Sequence, residues 1–267
     1  MLSIIITHYQ SPTLLKLCLE SIKKNIGDLE YELIVLDSQA EEDTRDLIKE
    51  YFPQARYIPF LKNITNYAKL VNIGLKKAKG EYILILNHDI IILNDAIIKL
   101  LNYIKENSQV GIVGPRLLTF SNQAQESCFR FPNIGAVIAR RTLLRKFNWG
   151  KERLSDFLIK DKDFSSPQPV DWMQGSAMLV RKEAIKKVGL WDERFVRYFE
   201  DTDWCRRFWQ NNYQVVLLPQ AQVSHYYGRH SKKWGPFLDP FLNKYTRMHL
   251  ISAFKYFLKW RGKKNYA

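Results

Sequence analysis

The chain has 267 residues, 46% of them hydrophobic, which is enough for one large domain with a sizeable core and excludes a disordered chain. Its formal net charge of +14 indicates an acidic partner, such as nucleotide phosphates, an anionic membrane surface or nucleic acid. The three cysteines have neither zinc-site spacing nor an even number, so we expect a reducing compartment. We interpret the apolar segment after Met1 as a first strand rather than a signal peptide, and no apolar run is long enough to span a bilayer.

The first half of the chain alternates short apolar segments with amphipathic ones. Apolar runs predict strands at 3–7, 31–36, 56–58, 82–86 and 110–113, and helical spacing predicts helices from Pro12 onward and at 41–51, 67–79 and 95–107. Ser11 is the expected N-cap of the first helix, and Gly80 the glycine that ends the third. The alternation predicts βαβ units, and therefore an α/β protein with a mostly parallel nucleotide-binding sheet flanked by helices.

The pattern loosens in the second half. Residues 117–169 show no clear periodicity, and we expect a long functional or mobile loop there. A strand is predicted at 170–180, helices at 182–188 and 202–211, and strands at 215–218 and 222–225. Segment 241–260 then has apolar residues at helical spacing between lysines and arginines, so it predicts a basic amphipathic C-terminal helix.

Segment 80–93 contains the clearest candidate site. Its unbroken apolar run is typical of a strand buried on both faces, and it stops at Asn87, His88 and Asp89. Open α/β sheets bind ligands at the carboxyl ends of such strands. A carboxylate there, beside two hydrogen-bonding side chains, can hold a divalent cation against a diphosphate, although an aspartate that only solvates the strand end fits equally well.

Other polar residues fall at comparable positions. Asp37 ends the second strand and can accept hydrogen bonds from a base or ribose, or simply form a turn. Asp201, among aromatic residues ahead of a helix, can be a general base with a raised pKa, but helix capping is the commoner role on composition alone. His225 follows a strand, where a lone histidine is more often structural than a metal ligand.

Six segments, in this order, resemble the motifs of glycosyltransferase family 2, whose fold is called GT-A. They are 3–10, 32–38, 72–89, 172–181, 189–206 and 219–225, and together they span most of residues 2–228. Each segment alone is weak evidence, but the six in sequence are specific. The sub-pattern at 114–117 and 126–132 is most similar to bacterial rhamnosyltransferases.

The resemblance implies roles for individual residues. It makes Asp201 the catalytic base, Asp37 the ligand of the nucleotide base, Asp89 the last residue of a metal-binding Asp-X-Asp motif, and His225 a partner of the metal or the diphosphate. The chain departs from the motif at Asn87, where the family has aspartate. The remaining candidates are the donor-binding residues Thr7, Tyr9, Asn72, Asn87 and His88, and the acceptor or sugar-pocket residues Trp172, Gly175, Trp191 and Glu200. Aromatic faces of Trp172, Trp191 and Tyr198 can stack on a sugar, but these residues can also be ordinary core, and we favour that for at least one of them.

The implied reaction is inverting transfer of a sugar, with rhamnose suggested, from a nucleotide-diphosphate sugar to the hydroxyl of a glycan or lipid-linked acceptor in bacterial cell-surface polysaccharide synthesis. The implied cofactor is Mg or Mn. We expect a GT-A catalytic domain at 1–228 and a basic tail at 229–267, in a cytoplasmic protein peripheral at the inner face of the cell membrane. The tail helix can lie on anionic lipid or dock on the catalytic domain, since both need the same periodicity.

Three other classes of protein share some of these features. A nucleic-acid-binding protein fits the charge, but the sequence has no helix-turn-helix, zinc or RNP motif, so we expect no nucleic-acid partner. A Rossmann dehydrogenase would need Gly-X-Gly-X-X-Gly after the first strand, which is missing. An inactive family member that only binds the nucleotide sugar is kept open by Asn87.

Overall fold

The computed structural model describes residues 1–226 and 242–263. Its strands are β1 (Leu2–His8), β2 (Tyr31–Asp37), β3 (Arg56–Pro59), β4 (Tyr82–Asn87), β5 (Ile90–Leu93), β6 (Val110–Leu118), β7 (Cys128–Phe129), β8 (Gln168–Pro169), β9 (Trp172–Met173), β10 (Ala177–Arg181) and β11 (Gln214–His225). Its helices are α1 (Pro12–Asn25), α2 (Glu42–Tyr51), α3 (Tyr67–Lys77), α4 (Ala96–Glu106), α5 (Ile134–Arg141), α6 (Asn148–Phe157), α7 (Lys182–Val188), α8 (Glu200–Gln210) and α9 (Lys244–Trp260). A short 3-10 helix, Leu143–Lys146, joins α5 to α6.

One sheet organises the molecule, in the order β3-β2-β1-β4-β10-β6-β11-β5, with β8 also paired to β11. The strands β3, β2, β1 and β4 are parallel, as the alternation of strands and helices predicted. Beyond β4 the sheet is mixed, because β10 runs antiparallel to β4 and β6, and β5 runs antiparallel to β11. The expected α/β class with flanking helices is confirmed, and the parallel pattern is limited to part of the sheet.

The core lies on both faces of the sheet. Side chains of a strand alternate between faces, so Ile4 and Ile6 of β1 join one buried cluster with Leu15 and Leu19 of α1. Ile5 points the other way and joins a second cluster that includes residues of α3, α7 and α8. Burial on both faces explains the unbroken apolar runs in the sequence.

Several predicted boundaries are wrong. The apolar run at 90–93, which received no assignment of its own, is the strand β5 and pairs with β11. The predicted loop at 117–169 contains two helices, α5 and α6. The predicted strand at 170–180 is two strands, because β9 pairs with β7 in a separate small sheet while β10 belongs to the main one.

The two predicted cap residues differ in outcome. Helix α3 ends at Lys77, so Gly80 does not cap it. Instead a Cβ atom at Gly80 would lie 2.6 Å from the backbone nitrogen of Ser3, so the close approach of two chain segments requires glycine there. Ser11 is the N-cap residue of α1 and Pro12 is its first residue, both as predicted, but the Ser11 side chain makes no capping hydrogen bond.

Helix α9 accounts for the described part of the predicted amphipathic tail. Phe241 and the predicted boundary at residue 228 lie outside the described residues. The inner face of α9 buries Ala253, Tyr256 and Trp260 against Phe195 and Phe199, as the docking alternative requires. Within residues 1–226 and 242–263, no helix has both the length and the apolarity needed to cross a membrane.

Candidate active site

The carboxyl ends of β1 and β4 bring the first candidate residues together. Thr7 lies opposite Asn87 in the register of these parallel strands, and its hydroxyl donates to the Asn87 side-chain oxygen at 3.1 Å. The hydroxyl of Tyr67, at the start of α3, lies 2.8 Å from the same oxygen. Because both hydroxyls converge on the amide oxygen, the amide nitrogen of Asn87 remains as the donor. Asn87 can therefore offer N–H groups where an aspartate would offer a second anionic oxygen.

Asp89 and His225 meet because β5 pairs with β11. Ile90 lies opposite His225 in that pairing, and the backbone nitrogen of Tyr226 donates to the Asp89 carbonyl at 3.0 Å. The Nε2 atom of His225 lies 3.6 Å from Oδ2 of Asp89. The two residues are far apart in sequence, so this pair depends on the antiparallel arrangement of β5.

Gln125 fixes the orientation of the His225 ring. Its amide nitrogen donates to the carbonyl oxygens of Leu118 and His225, at 3.3 and 2.9 Å, which directs its amide oxygen to Nδ1 of His225 at 3.0 Å. The ring therefore carries its proton on Nδ1 and turns the lone pair of Nε2 towards Asp89. Burial, and then the charge of His88, lower the pKa of His225 to about 4, so the ring is neutral at neutral pH.

The Asp89–His225 pair has the chemistry of a divalent-cation site. Oδ1 of Asp89 is buried without a hydrogen-bond partner among the described residues, and burial raises the pKa of this carboxyl to about 6. A neutral imidazole lone pair facing a carboxylate oxygen suits a bound cation, and the outer hydrogen bond that the His225 ring donates to Gln125 is typical of histidines that bind metals. Across residues 1–226 and 242–263, no group of three or more His, Cys, Asp or Glu side chains is placed to hold a metal ion. These two ligands would thus need further oxygens, such as those of a substrate diphosphate.

A buried histidine, His8, and a half-buried one, His88, lie behind this edge. His8 and His88 contact each other edge to face, with ring centroids 4.9 Å apart. Burial lowers the pKa of both rings to about 4, and the charge of His8 adds to the effect at His88. His88 therefore contributes a neutral ring, whose Nδ1 lies 3.3 Å from the carbonyl oxygen of Thr7.

Two neighbouring carboxyl groups, Glu200 and Asp201, begin helix α8. Asp201 accepts hydrogen bonds from the backbone nitrogens of Gly175 and Thr202, at 3.1 and 2.7 Å. Oε2 of Glu200 is buried without such a partner among the described residues. Burial raises the pKa of both groups, and the negative charge of Asp201 raises that of Glu200 further. When the pair carries one negative charge, that charge is therefore on Asp201, and Glu200 is the member that keeps its proton.

The backbone just before this pair is unusual. Tyr198 and Phe199 both have positive φ, of 69° and 68°, in the left-handed region that bulky residues rarely adopt. Such consecutive outliers persist only where the surrounding structure holds them, and they cluster at functional sites. They set the direction from which α8 begins, and so the position of Asp201.

Gly175 joins Asp201 to the β4 edge. A Cβ atom at residue 175 would lie 2.7 Å from the Trp191 ring and 3.5 Å from the Cβ of Asp201, so glycine is required for this packing. The Tyr67 hydroxyl lies 3.3 Å from the Gly175 carbonyl oxygen as well as beside Asn87. Asn87, Tyr67, Gly175 and Asp201 therefore form one connected network.

Not all the predicted residues fall in this network. Asp37 is fully buried, and its two oxygens accept hydrogen bonds from the Tyr57 hydroxyl and the Gln39 nitrogen, at 2.6 and 3.2 Å. Burial raises the pKa of Asp37, and these hydrogen bonds oppose the rise. Tyr9 is exposed at the end of β1.

Two further predicted residues have structural partners. The Asn72 side chain exchanges two hydrogen bonds of 2.9 Å with the backbone of Trp191, so it positions the tryptophan that packs on Gly175. Trp172 stacks on Phe129 at 4.6 Å and donates to the Arg130 carbonyl, next to α5 and α6.

Tyr67, His8 and Gln125 were not among the predicted residues. Tyr67 opens a helix whose N-cap, Asn66, is visible in the sequence, but its reach to β4 is not. His8 stands inside the first motif and could have been selected from it. Gln125 lies in an irregular segment, where single-sequence reasoning offers no signal.

Comparisons with known proteins identify the family of the chain. A family model described as "Glycosyl transferase family 2" matches residues 3–189, and a second, "Glycosyl transferase family group 2", matches 134–247. The chain is similar to "Rhamnosyltransferase WbbL" of Escherichia coli (strain K12), with 27% identity over 98% of this chain and 94% of that protein. It is also similar to "N-acetylglucosaminyl-diphospho-decaprenol L-rhamnosyltransferase" of Mycobacterium tuberculosis (strain CDC 1551 / Oshkosh), with 25% identity over 73% of this chain and 66% of that protein.

The fold is similar to a solved structure as well. The crystal structure of GalNAc-T7 with UDP, GalNAc and Mn²⁺ superposes with a TM-score of 0.64 at 16% identity, over 85% of this chain and 44% of that one. This likeness confirms the expected GT-A fold. The family match covers more than half of the chain, and the resemblance to rhamnosyltransferases is confirmed by the relatives. The chain belongs to glycosyl transferase family 2 and is a glycosyltransferase.

Proposed function

We propose that this enzyme transfers a sugar, with rhamnose as the leading candidate, from a nucleotide-diphosphate donor to a hydroxyl of a lipid-linked acceptor, with inversion at the anomeric carbon. The observation that carries the proposal is the hydrogen-bonded network from Asn87 through Tyr67 and Gly175 to Asp201. It connects a carboxylate with a raised pKa to the strand edge where α/β folds bind phosphates.

Asp201 acts as the general base. The acceptor oxygen forms a bond to the anomeric carbon as the bond from that carbon to the diphosphate oxygen breaks, and the hydroxyl proton passes to the Asp201 carboxylate. Hydrogen bonds from Gly175 and Thr202 hold this carboxylate in place. Glu200 stays protonated beside it and adds no second negative charge.

Asp89 and His225 would hold the divalent cation, Mg or Mn, against the donor diphosphate. Such a cation supplies Lewis-acid stabilisation of the charge that develops on the leaving diphosphate. The Asn87 amide donates hydrogen bonds to the same nucleotide-diphosphate sugar. An amide N–H suits this anionic ligand better than a second carboxylate would. His88 and Thr7 form the wall beneath it, and Asp37 serves the nucleotide base.

The acceptor assignment draws on the name of the mycobacterial relative, which specifies a sugar carried on a polyprenyl diphosphate. Trp172, Trp191 and Gly175 form the acceptor side in this proposal. A lipid-linked acceptor and a nucleotide-sugar donor place the reaction in the cytoplasm at the inner face of the cell membrane. The product would enter cell-surface polysaccharide synthesis.

The experiment is a donor and acceptor screen. Purified enzyme is incubated with Mg or Mn, a panel of nucleotide-diphosphate sugars that includes rhamnose, and N-acetylglucosamine carried either on a polyprenyl diphosphate or on a short water-soluble analogue. We expect release of nucleoside diphosphate with one donor, and a product of inverted anomeric configuration by NMR. Retention of configuration, or no turnover with any donor and acceptor, would refute the proposal.

A further inference from the structure

Six of the eighteen exposed large apolar side chains in the described residues fall within sixteen consecutive positions. They are Ile134, Ile138, Leu143, Leu144, Phe147 and Trp149. Ile134 and Phe147 are each 63% exposed. Single exposed apolar side chains are ordinary on a protein surface, but a concentration of them in one short segment points to an interaction site. We call residues 134–153, which contain this group, the apolar–basic hairpin.

The hairpin is a compact element of structure. Its two helices, α5 and α6, pack together through Gly135, where a Cβ would lie 3.4 Å from the Trp149 ring. Its inner side buries Ala136 and Ala139. Residues 143–149, Leu-Leu-Arg-Lys-Phe-Asn-Trp, are all exposed. The outer apolar surface is therefore held on a folded support.

The charge of the hairpin selects one kind of partner. Residues 134–153 contain six basic residues, Arg140, Arg141, Arg145, Lys146, Lys151 and Arg153, and one acidic residue, Glu152. Lysines and arginines alternating with phenylalanine, tryptophan and leucine are typical of surfaces that lie in the headgroup region of an anionic bilayer. A second copy of this chain would present the same positive charge, on a protein of net charge +14, and would be repelled.

The hairpin also lies beside the proposed acceptor side of the site. Phe157, at the end of α6, stacks on Phe129 at 5.1 Å, and Phe129 stacks on Trp172 at 4.6 Å. We infer that the apolar–basic hairpin inserts its outer side chains into an anionic membrane surface and so presents the acceptor pocket to lipid-linked substrate. The link to the acceptor rests on the proposed function, whereas membrane binding by the hairpin does not.

Membrane binding can be measured without catalysis. The full chain is sedimented with vesicles of phosphatidylcholine, with or without phosphatidylglycerol, at low and high salt. The test variants are Ile134→Ser with Phe147→Ser, and Arg145→Gln with Lys146→Gln. The matched control is Leu61→Ser, which removes a side chain that is 91% exposed elsewhere on the surface. Because none of these side chains is buried, thermal melting should confirm that every variant keeps its fold.

We expect the wild-type chain and the Leu61 control to bind vesicles that contain phosphatidylglycerol in a salt-sensitive manner. The apolar double variant should bind at least about tenfold more weakly, and the charge variant roughly fivefold more weakly for each charge removed. A comparison variant, Ile251→Ser with Phe254→Ser, changes the exposed side of α9, which the sequence also suggested as an anchor.

Three results would overturn the inference. The first is that the wild-type chain does not bind anionic vesicles. The second is that the wild type and the apolar double variant bind equally, which includes the case in which only the α9 variant loses binding. The third is a wild-type dimer in ultracentrifugation that the apolar substitutions dissociate, which would make a second copy the partner. Transfer to the water-soluble acceptor analogue reports on the proposed function separately, and the hairpin variants should leave it unchanged.

Discussion

Exchanging the two carboxyl groups that begin α8 for their amides separates their roles. Asp201→Asn removes a carboxylate that accepts hydrogen bonds from Gly175 and Thr202. Glu200→Gln instead replaces the carboxyl group whose pKa is raised by burial and by the neighbouring charge, and which we propose is protonated. An amide resembles a protonated carboxylic acid in shape and charge, but it cannot accept a proton as a carboxylate does.

The expected losses of activity follow from the protonation of the two carboxyl groups. Loss of a general base costs about 10²–10⁴-fold in kcat, or about 2.7–5.4 kcal/mol of transition-state stabilisation. Donor affinity should not change in Asp201→Asn, because the donor side of the site keeps Asn87, Asp89 and His225. Glu200→Gln should keep kcat within roughly threefold of wild type, since no charge is removed at neutral pH.

The pH dependence of folding stability is an independent test of the protonation of Glu200. A carboxyl group whose pKa is higher in the folded than in the unfolded protein binds more protons when folded, so stability falls as pH rises through the window above 4.5, its ordinary value. Glu200→Gln should remove this fall. The assays are steady-state kinetics across pH, titration calorimetry with the donor, and thermal melting at each pH. An inactive Glu200→Gln beside an active Asp201→Asn would refute the assignment.

Two further predictions concern the cation and the packing of the site. Excess chelator, or Asp89→Ala, should abolish transfer and weaken nucleoside diphosphate binding at least about tenfold. The exposed control Asp46→Ala should change neither transfer nor binding. Full activity in excess chelator would contradict the proposed role of Asp89 and His225. Gly175→Ala should cost about 1–3 kcal/mol of folding free energy and lower kcat, because its Cβ would lie 2.7 Å from the Trp191 ring. The matched control in thermal melting and kinetics is Ser176→Ala, which removes a buried hydroxyl that has no hydrogen-bond partner among the described residues. Equal stability and kcat of the two variants would show that neither folding nor catalysis needs glycine at residue 175.

The strands that carry the site were predictable where local sequence decides the structure. The apolar run of β4 ends at Asn87 because burial on both faces ends there, and this pattern is visible without a structure. The pairing of β5 with β11 is not visible, since it joins residues about 130 positions apart. The sequence therefore suggested Asp89 and His225 separately, and only the sheet brings them together.

The segment predicted as a loop shows a different limit. Helix α5 carries small buried residues, Ala136 and Ala139, on one side and large apolar residues, Ile134 and Ile138, on the other. Apolar residues on both sides remove the alternation by which an amphipathic helix is identified. Asp37 and Asn72 illustrate a further limit, because a motif selects the residue but does not give its hydrogen-bond partners. Their roles in donor binding stay predictions.

Helix α9 is bonded to the segment that carries the proposed base. Lys259 contacts Asp192 and Asp203, each at 2.7 Å, and the Trp260 indole donates to Asp203 at 2.9 Å. Arg206 of α8 donates to the Tyr256 hydroxyl at 3.0 Å.

These contacts join residues 50 to 67 positions apart in the chain. Since a protein is made from its N-terminus, the residues of the proposed donor-binding edge, through β11, are translated before those of α9. A chain that ends before α9 therefore contains every residue of the proposed donor-binding edge but lacks the helix that contacts α8. Chains arrested before residue 244 would retain nucleotide binding and lack transfer.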